Sequence, residues 1–121
     1  MQSEKRIEAL AGKLKLTKSE RSALVKLIGD VKESWPDAKF KLFGSKVKGV
    51  ADEESDLDLL IVLPCELTSE IRKKIIHNVF EINLTFETNI SPLIMPEKEW
   101  ESAPISLLPI HAFIEEEGVA L

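Results

Sequence analysis

Phe43-Gly44-Ser45, then ten residues, then Asp56-Leu57-Asp58-Leu59-Leu60-Ile61-Val62 is the stretch on which the reading of this chain turns. Asp56 and Asp58 stand two apart, so on a strand both side chains leave one face while Leu57 and Leu59 leave the other. Two carboxylates held about 4 Å apart repel by about 4 kcal/mol at an effective dielectric near 20, and a cation removes that cost. Hard oxygen donors suit Mg²⁺, which typically takes one or two protein carboxylates and completes its shell with waters and substrate phosphates. Asp58 also lies inside an aliphatic run, where a charge without a partner is costly. The pair therefore reads as half of a metal and triphosphate site.

Gly44 and Ser45 read as the other half. A glycine at a strand end lets backbone approach an anion closely, and a helix start after it presents free N–H groups. Ser45 adds a hydroxyl. Lys46 and Lys48 follow in the same turn, with Gly49 after them, as flexible charges placed to balance phosphate. The plainer alternative makes Ser55 a turn residue and the aspartates ordinary solvated acids at a strand entrance. Against it stand the Gly-Ser at a strand end, the spacer, and the position of Asp58 within the strand.

Working outward, Lys39 to Phe43 alternates polar and apolar and predicts a strand with one buried face, running into Gly44. Leu57 to Leu63 predicts a central strand covered on both faces, Asp58 excepted. Before them, residues 4–13 predict a short helix with Ser3 as a cap, Ile7 and Leu10 facing inward. Thr17-Lys18-Ser19-Glu20 has the form of a capping box, opening a helix that Trp35-Pro36 ends. After the central strand, Thr68-Ser69-Glu70 opens a helix with the stripe Ile71, Ile75, Val79 and Ile82. A third strand is expected over about 88–95, with Pro92 marking an edge or a bulge. A polar turn or helix around Trp100 and a last helix from about Ser106, stopped by Gly118, complete the chain. The order predicts an α/β (α+β) domain: a small mixed β-sheet with helices packed on it, as one domain over residues 1–121.

Composition narrows the function classes. The 121 residues suit one core, and 44% apolar with 31% charged residues suits a globular chain. A net charge of −5 argues against a broad nucleic-acid-binding surface but leaves a nucleotide open, because Mg²⁺ neutralises phosphate locally. No apolar run approaches the roughly 20 residues of a membrane span, and the start of the chain lacks a secretory pattern. The single Cys65 fits a reducing compartment and reads as a small buried or strand-end residue. A cytoplasmic location is expected.

The compound motif, Phe43-Gly44-Ser45-Lys46-Val47-Lys48-Gly49 with Ser55-Asp56-Leu57-Asp58-Leu59-Leu60-Ile61-Val62, resembles the signature of the DNA polymerase β-type nucleotidyltransferase superfamily, and the small size is similar to its minimal nucleotidyltransferases. The resemblance implies a Mg²⁺-dependent enzyme that transfers a nucleoside monophosphate from ATP or another NTP to an acceptor, with two metal ions and three carboxylates. Asp56 and Asp58 match the first two metal ligands, and Gly44 and Ser45 match the phosphate-binding turn. It also implies a helical partner, a HEPN-domain protein of a toxin-antitoxin-like module, which in some pairs receives AMP. In physical terms the chain's part is to position and neutralise.

One position departs from that pattern. The third carboxylate belongs on the next strand, and here Ser91 fills the slot in Asn89-Ile90-Ser91-Pro92-Leu93-Ile94. Glu87 has the right strand parity but lies four residues away, roughly 13 Å. The alternative is therefore a catalytically weakened nucleotidyltransferase fold acting as antitoxin or regulatory subunit of its partner. His77 and His111 have no neighbours at metal-ligand spacing and read as structural or surface groups. Trp35 and Trp100 read as covers for core edges, and Glu115-Glu116-Glu117 as a solvated run in a last helical turn that disfavours anions.

Overall fold

A computed structural model describes residues 2–48 and 56–121, the side chains of residues 2, 3, 11 and 48 excepted. Gly49 and Ser55 lie outside the described residues, as does the side chain of Lys48. In chain order the elements are α1 (Gln2–Leu14), α2 (Lys18–Ser34), β1 (Lys39–Phe43), α3 (Ser45–Lys48), β2 (Leu57–Leu63), α4 (Ser69–Phe86), β3 (Ile90–Pro96) and α5 (Glu97–Trp100). A 3₁₀ turn (Ile105–Leu107), α6 (Pro109–Glu117) and β4 (Val119–Ala120) follow.

Local chemistry starts and stops these elements. The Thr17 hydroxyl accepts the Glu20 N–H at 3.0 Å while the Glu20 carboxylate accepts the Thr17 N–H at 2.9 Å, closing the capping box that opens α2. Trp35, held before Pro36, ends it. α1 already begins at Gln2, so Ser3 sits inside the helix rather than at its cap. The Thr68 hydroxyl accepts the Ile71 N–H at 3.2 Å and starts α4, which continues past the expected stripe to Phe86.

The four strands lie in the order β3-β2-β1-β4, with β1 antiparallel to β2 and β4, and β2 parallel to β3. This is the small mixed sheet with helices that the α/β (α+β) reading expects. β3 is an edge strand, in keeping with Pro92. The two-residue β4 was not anticipated; Val119 pairs with Leu42, and the Leu121 N–H donates to the Phe40 carbonyl at 3.0 Å. Gly118 does stop α6, but with an extended backbone (φ −67, ψ 151) rather than a left-handed cap.

Each sheet face has its own core. Leu57, Leu59, Ile61 and Leu63 of β2 face Leu24, Leu27, Ile75 and Val79 of α2 and α4. Leu60 and Val62 leave the opposite face and pack under Trp100 and Ile114, with Phe43, Leu93 and Met95 beside them. β2 is thus covered on both sides, which is why its sequence is almost wholly aliphatic. Asp58 is the exception. It shares the face of Leu60 and Val62, at the end where β2 begins and the α5–α6 cover has not yet reached.

Asn83 joins α4 to β3. Its Nδ2 donates to the Ile90 carbonyl at 3.1 Å, and its Oδ1 accepts the Ile90 N–H and the Thr88 hydroxyl, each at 2.9 Å. Both backbone groups of the first β3 residue are therefore held by one side chain, which sets where β3 enters the sheet beside β2.

Candidate active site

The ladders put Asp58 at a junction. Across the antiparallel pairing it stands opposite Phe43, and across the parallel pairing opposite Ser91. Gly44 follows Phe43 and turns the chain with φ +83, a conformation L side chains rarely adopt. A Cβ at Gly44 would overlap Asp58 Oδ2 and lie 3.2 Å from Cγ. The Asp58 carboxylate therefore rests against bare backbone at the glycine-serine turn. Ser45 opens the one-turn α3, whose first N–H groups have no intrahelical acceptor.

Burial, with the nearby Asp56 charge second, pushes the Asp58 carboxyl above the usual carboxylate range. Half-buried Asp58 thus feels the charge of exposed Asp56, an effect a cation would relieve. Carboxylate oxygens beside a bare turn are hard donors of the kind Mg²⁺ takes. Asp58 leaves the β2 face opposite Leu57 and Leu59, which are fully buried, and Asp56 immediately precedes the strand.

The third acid is missing from its slot. Ser91, exposed, lies directly beside Asp58. The Leu57 N–H donates to the Asn89 carbonyl at 2.9 Å, which brings Asn89 alongside the start of β2. Glu87 is not on the strand at all: it caps α4 in a left-handed conformation (φ 55, ψ 50), so the strand parity that made it a candidate does not exist. Among the described residues no group of three or more His, Cys, Asp or Glu side chains could hold a metal ion.

Lys46 also departs from expectation. Instead of standing in the turn as a flexible charge, it is 4% exposed, with Nζ 3.3 Å from Glu20 Oε2 and 3.4 Å from Oε1. Glu20 is itself buried and closes the α2 capping box. The physical reason is economy of charge: a buried carboxylate needs a cation, and the first turn of α3 supplies one. The ion pair pins the turn after Gly44 to the start of α2. Sequence reasoning missed this role for Glu20, and that of Asn83; the capping-box acid was visible, its second partner 26 residues on was not.

The same sheet face carries a cavity of about 270 Å³ at the other end of β2, between Lys39, Lys41, Val62, Trp100 and Glu115, and neither aspartate lines it. There Glu115, though exposed, is held by two partners. Its Oε1 accepts the Trp100 indole N–H at 2.9 Å, and its Oε2 lies 3.2 Å from Lys41 Nζ. His111 stacks on Trp100, ring centroids 4.4 Å apart, and His77 lies on the surface 3.8 Å from Glu81.

A family model described as "Nucleotidyltransferase domain" matches residues 24–107, a span that runs from within α2 to the end of the 3₁₀ turn and holds the Gly44-Ser45 turn and both aspartates. The chain belongs to that family, as its motif implied, and its general chemistry is nucleotidyl transfer on a nucleotide substrate. Members of the family generally use a nucleoside triphosphate and a divalent metal. No curated protein and no solved structure matches the chain. Among the described residues, no helix is long and apolar enough to cross a membrane.

Proposed function

We propose that the protein transfers AMP from ATP to an acceptor group on a partner protein, at a site made of Asp56, Asp58, Gly44 and Ser45. The observation that carries this reading is the seating of the Asp58 carboxylate against the bare turn at Gly44. A bound Mg²⁺, held by Asp56 and Asp58, would supply charge neutralisation for the triphosphate and for the departing pyrophosphate. The chain's own residues do the positioning. Gly44 leaves room for the Asp58 carboxylate against the turn, Ser45 offers a hydroxyl and the amides of a helix start, and the Glu20–Lys46 pair keeps that turn in place. Lys48 remains a candidate phosphate contact from the same turn. A helical partner of the HEPN type supplies the acceptor in this reading.

A second reading is favoured by one specific observation, Ser91 beside Asp58 where a third acid would complete a two-metal site. In it the protein binds Mg-ATP and its partner as a regulatory or antitoxin subunit, and transfers slowly or not at all. Incubation with labelled ATP, Mg²⁺ and a candidate partner separates the two. Label on the partner that Asp58→Asn abolishes supports the enzyme; tight partner binding with no transfer, indifferent to Asp58→Asn, supports the regulator.

A further inference from the structure

Helix α4 has two apolar edges. Ile75, Val79 and Ile82 face the core. Ile76, Phe80 and Leu84 form a second line at a spacing of four and are 42%, 58% and 62% exposed. Such a line is continuous along one side of a helix, and a contiguous apolar strip in water marks an interaction surface.

The charges beside the strip say what covers it. The first half of α4 carries Glu70 but is net basic, with Arg72, Lys73 and Lys74, and the second half carries Glu81 and is capped by Glu87. Phe80 is the centre of this pattern: Ile76 and Leu84 stand four residues to either side, Lys73 and Glu87 seven to either side. Lys73 and Glu87 are exposed. A second α4 laid antiparallel about a twofold axis at Phe80 sets Ile76 on the partner's Leu84 and brings basic Lys73 to the end of the partner helix that Glu87 caps. A parallel arrangement would oppose like charges instead. The helical residues from Lys73 to Phe86 span about 20 Å, room for one ridge of side chains spaced by four to seat in its symmetry mate.

We propose that two copies of this chain associate isologously through α4, antiparallel, with Phe80 at the axis. A single helix pair sits at the low end of interface sizes, so the dimer forms reversibly in the micromolar range. Because α4 packs on the sheet face opposite Asp58, each copy keeps its glycine-serine turn and aspartates open.

Sedimentation velocity of the full chain, from low micromolar to several hundred micromolar, tests this. A concentration-dependent monomer–dimer shift is expected, weakened about a hundredfold by Phe80→Glu. Lys73→Glu and Glu87→Lys should each weaken it about tenfold, and the two together should restore it. Circular dichroism checks that each variant folds; all three positions are exposed. A monomer at every concentration overturns the proposal, including one that uses this face for a different protein. So does a dimer indifferent to Phe80→Glu, or a double charge reversal weaker than both single ones.

Discussion

The Asp58 carboxylate occupies the volume that any side chain on Gly44 would need, so the turn after β1 and the acids of β2 are built as one unit. That relationship joins the two halves of the motif, separated by ten residues in sequence, through the Phe43–Asp58 pairing of an antiparallel ladder.

Gly44→Ala should therefore fail twice over. The left-handed backbone costs a non-glycine residue about 1–2 kcal/mol, and the added carbon displaces Asp58. A displacement of about 1 Å in a reacting constellation costs about a hundredfold in rate. Urea unfolding should show the first loss, and labelled-ATP transfer the second.

Asp58 gives a pH signature. Its carboxyl titrates above the usual range in the folded chain, chiefly through burial and then through Asp56. An acid whose folded pKa is raised disfavours folding once ionised: the penalty is absent below the unfolded value of 3.8 and grows as pH rises through the folded value. Without metal, Asp58→Asn is expected to raise the urea midpoint at pH 7, with the gain vanishing in acid, while abolishing transfer. A lower midpoint at pH 7 would contradict this.

Glu115 runs the other way. The Trp100 N–H bond, against an opposing effect of burial and aided by Lys41, holds its carboxyl below the usual range. Its contribution is present above the unfolded value of 4.5 and is lost as pH falls through the lowered folded value. Because the side chain is 44% exposed, Glu115→Gln should cost only about 1 kcal/mol at pH 7, and less in acid. Trp100 fluorescence during urea unfolding at pH 7 and below pH 4.5 reads it.

The Glu20–Lys46 pair separates a structural lysine from a phosphate ligand. Removing one partner of a buried ion pair costs about 3–5 kcal/mol, so Lys46→Ala should lower stability by about that amount. Glu20→Ala should cost more, since the Thr17 N–H also loses its acceptor. Unchanged stability with weakened nucleotide binding in Lys46→Ala would return that lysine to the turn.

Much of the architecture was legible because it obeys short-range rules. The Thr17–Glu20 box, the Pro36 stop, the alternation in Lys39–Phe43 and the aliphatic run of β2 each follow from local geometry, and the period of two already set Asp58 against Leu57 and Leu59. What escaped depends on distant partners. β4 is too short for any pattern. Lys46 points inward only because a capping acid lies buried in α2, and Glu115 is held by a tryptophan on another helix. Glu87 looked like a strand residue because α4 continues past Ile82, where its inward stripe ends. The slot of Ser91 followed from the family resemblance, and the parallel register sets it beside Asp58.

That slot invites a gain of function. Ser91→Asp places a third carboxylate beside Asp58, and more ligand charge tightens a divalent site. About tenfold stronger Mg²⁺ dependence of transfer is expected, measured as the metal concentration for half-maximal rate. No change in that concentration would mean the Ser91 position does not face the metal.

The most direct test of the central claim is calorimetric titration of ATP into the protein with and without Mg²⁺. Binding that needs Mg²⁺, and that Asp58→Asn removes, is the expected result; no Mg²⁺-dependent uptake of ATP or any other nucleoside triphosphate by the wild-type chain would contradict it.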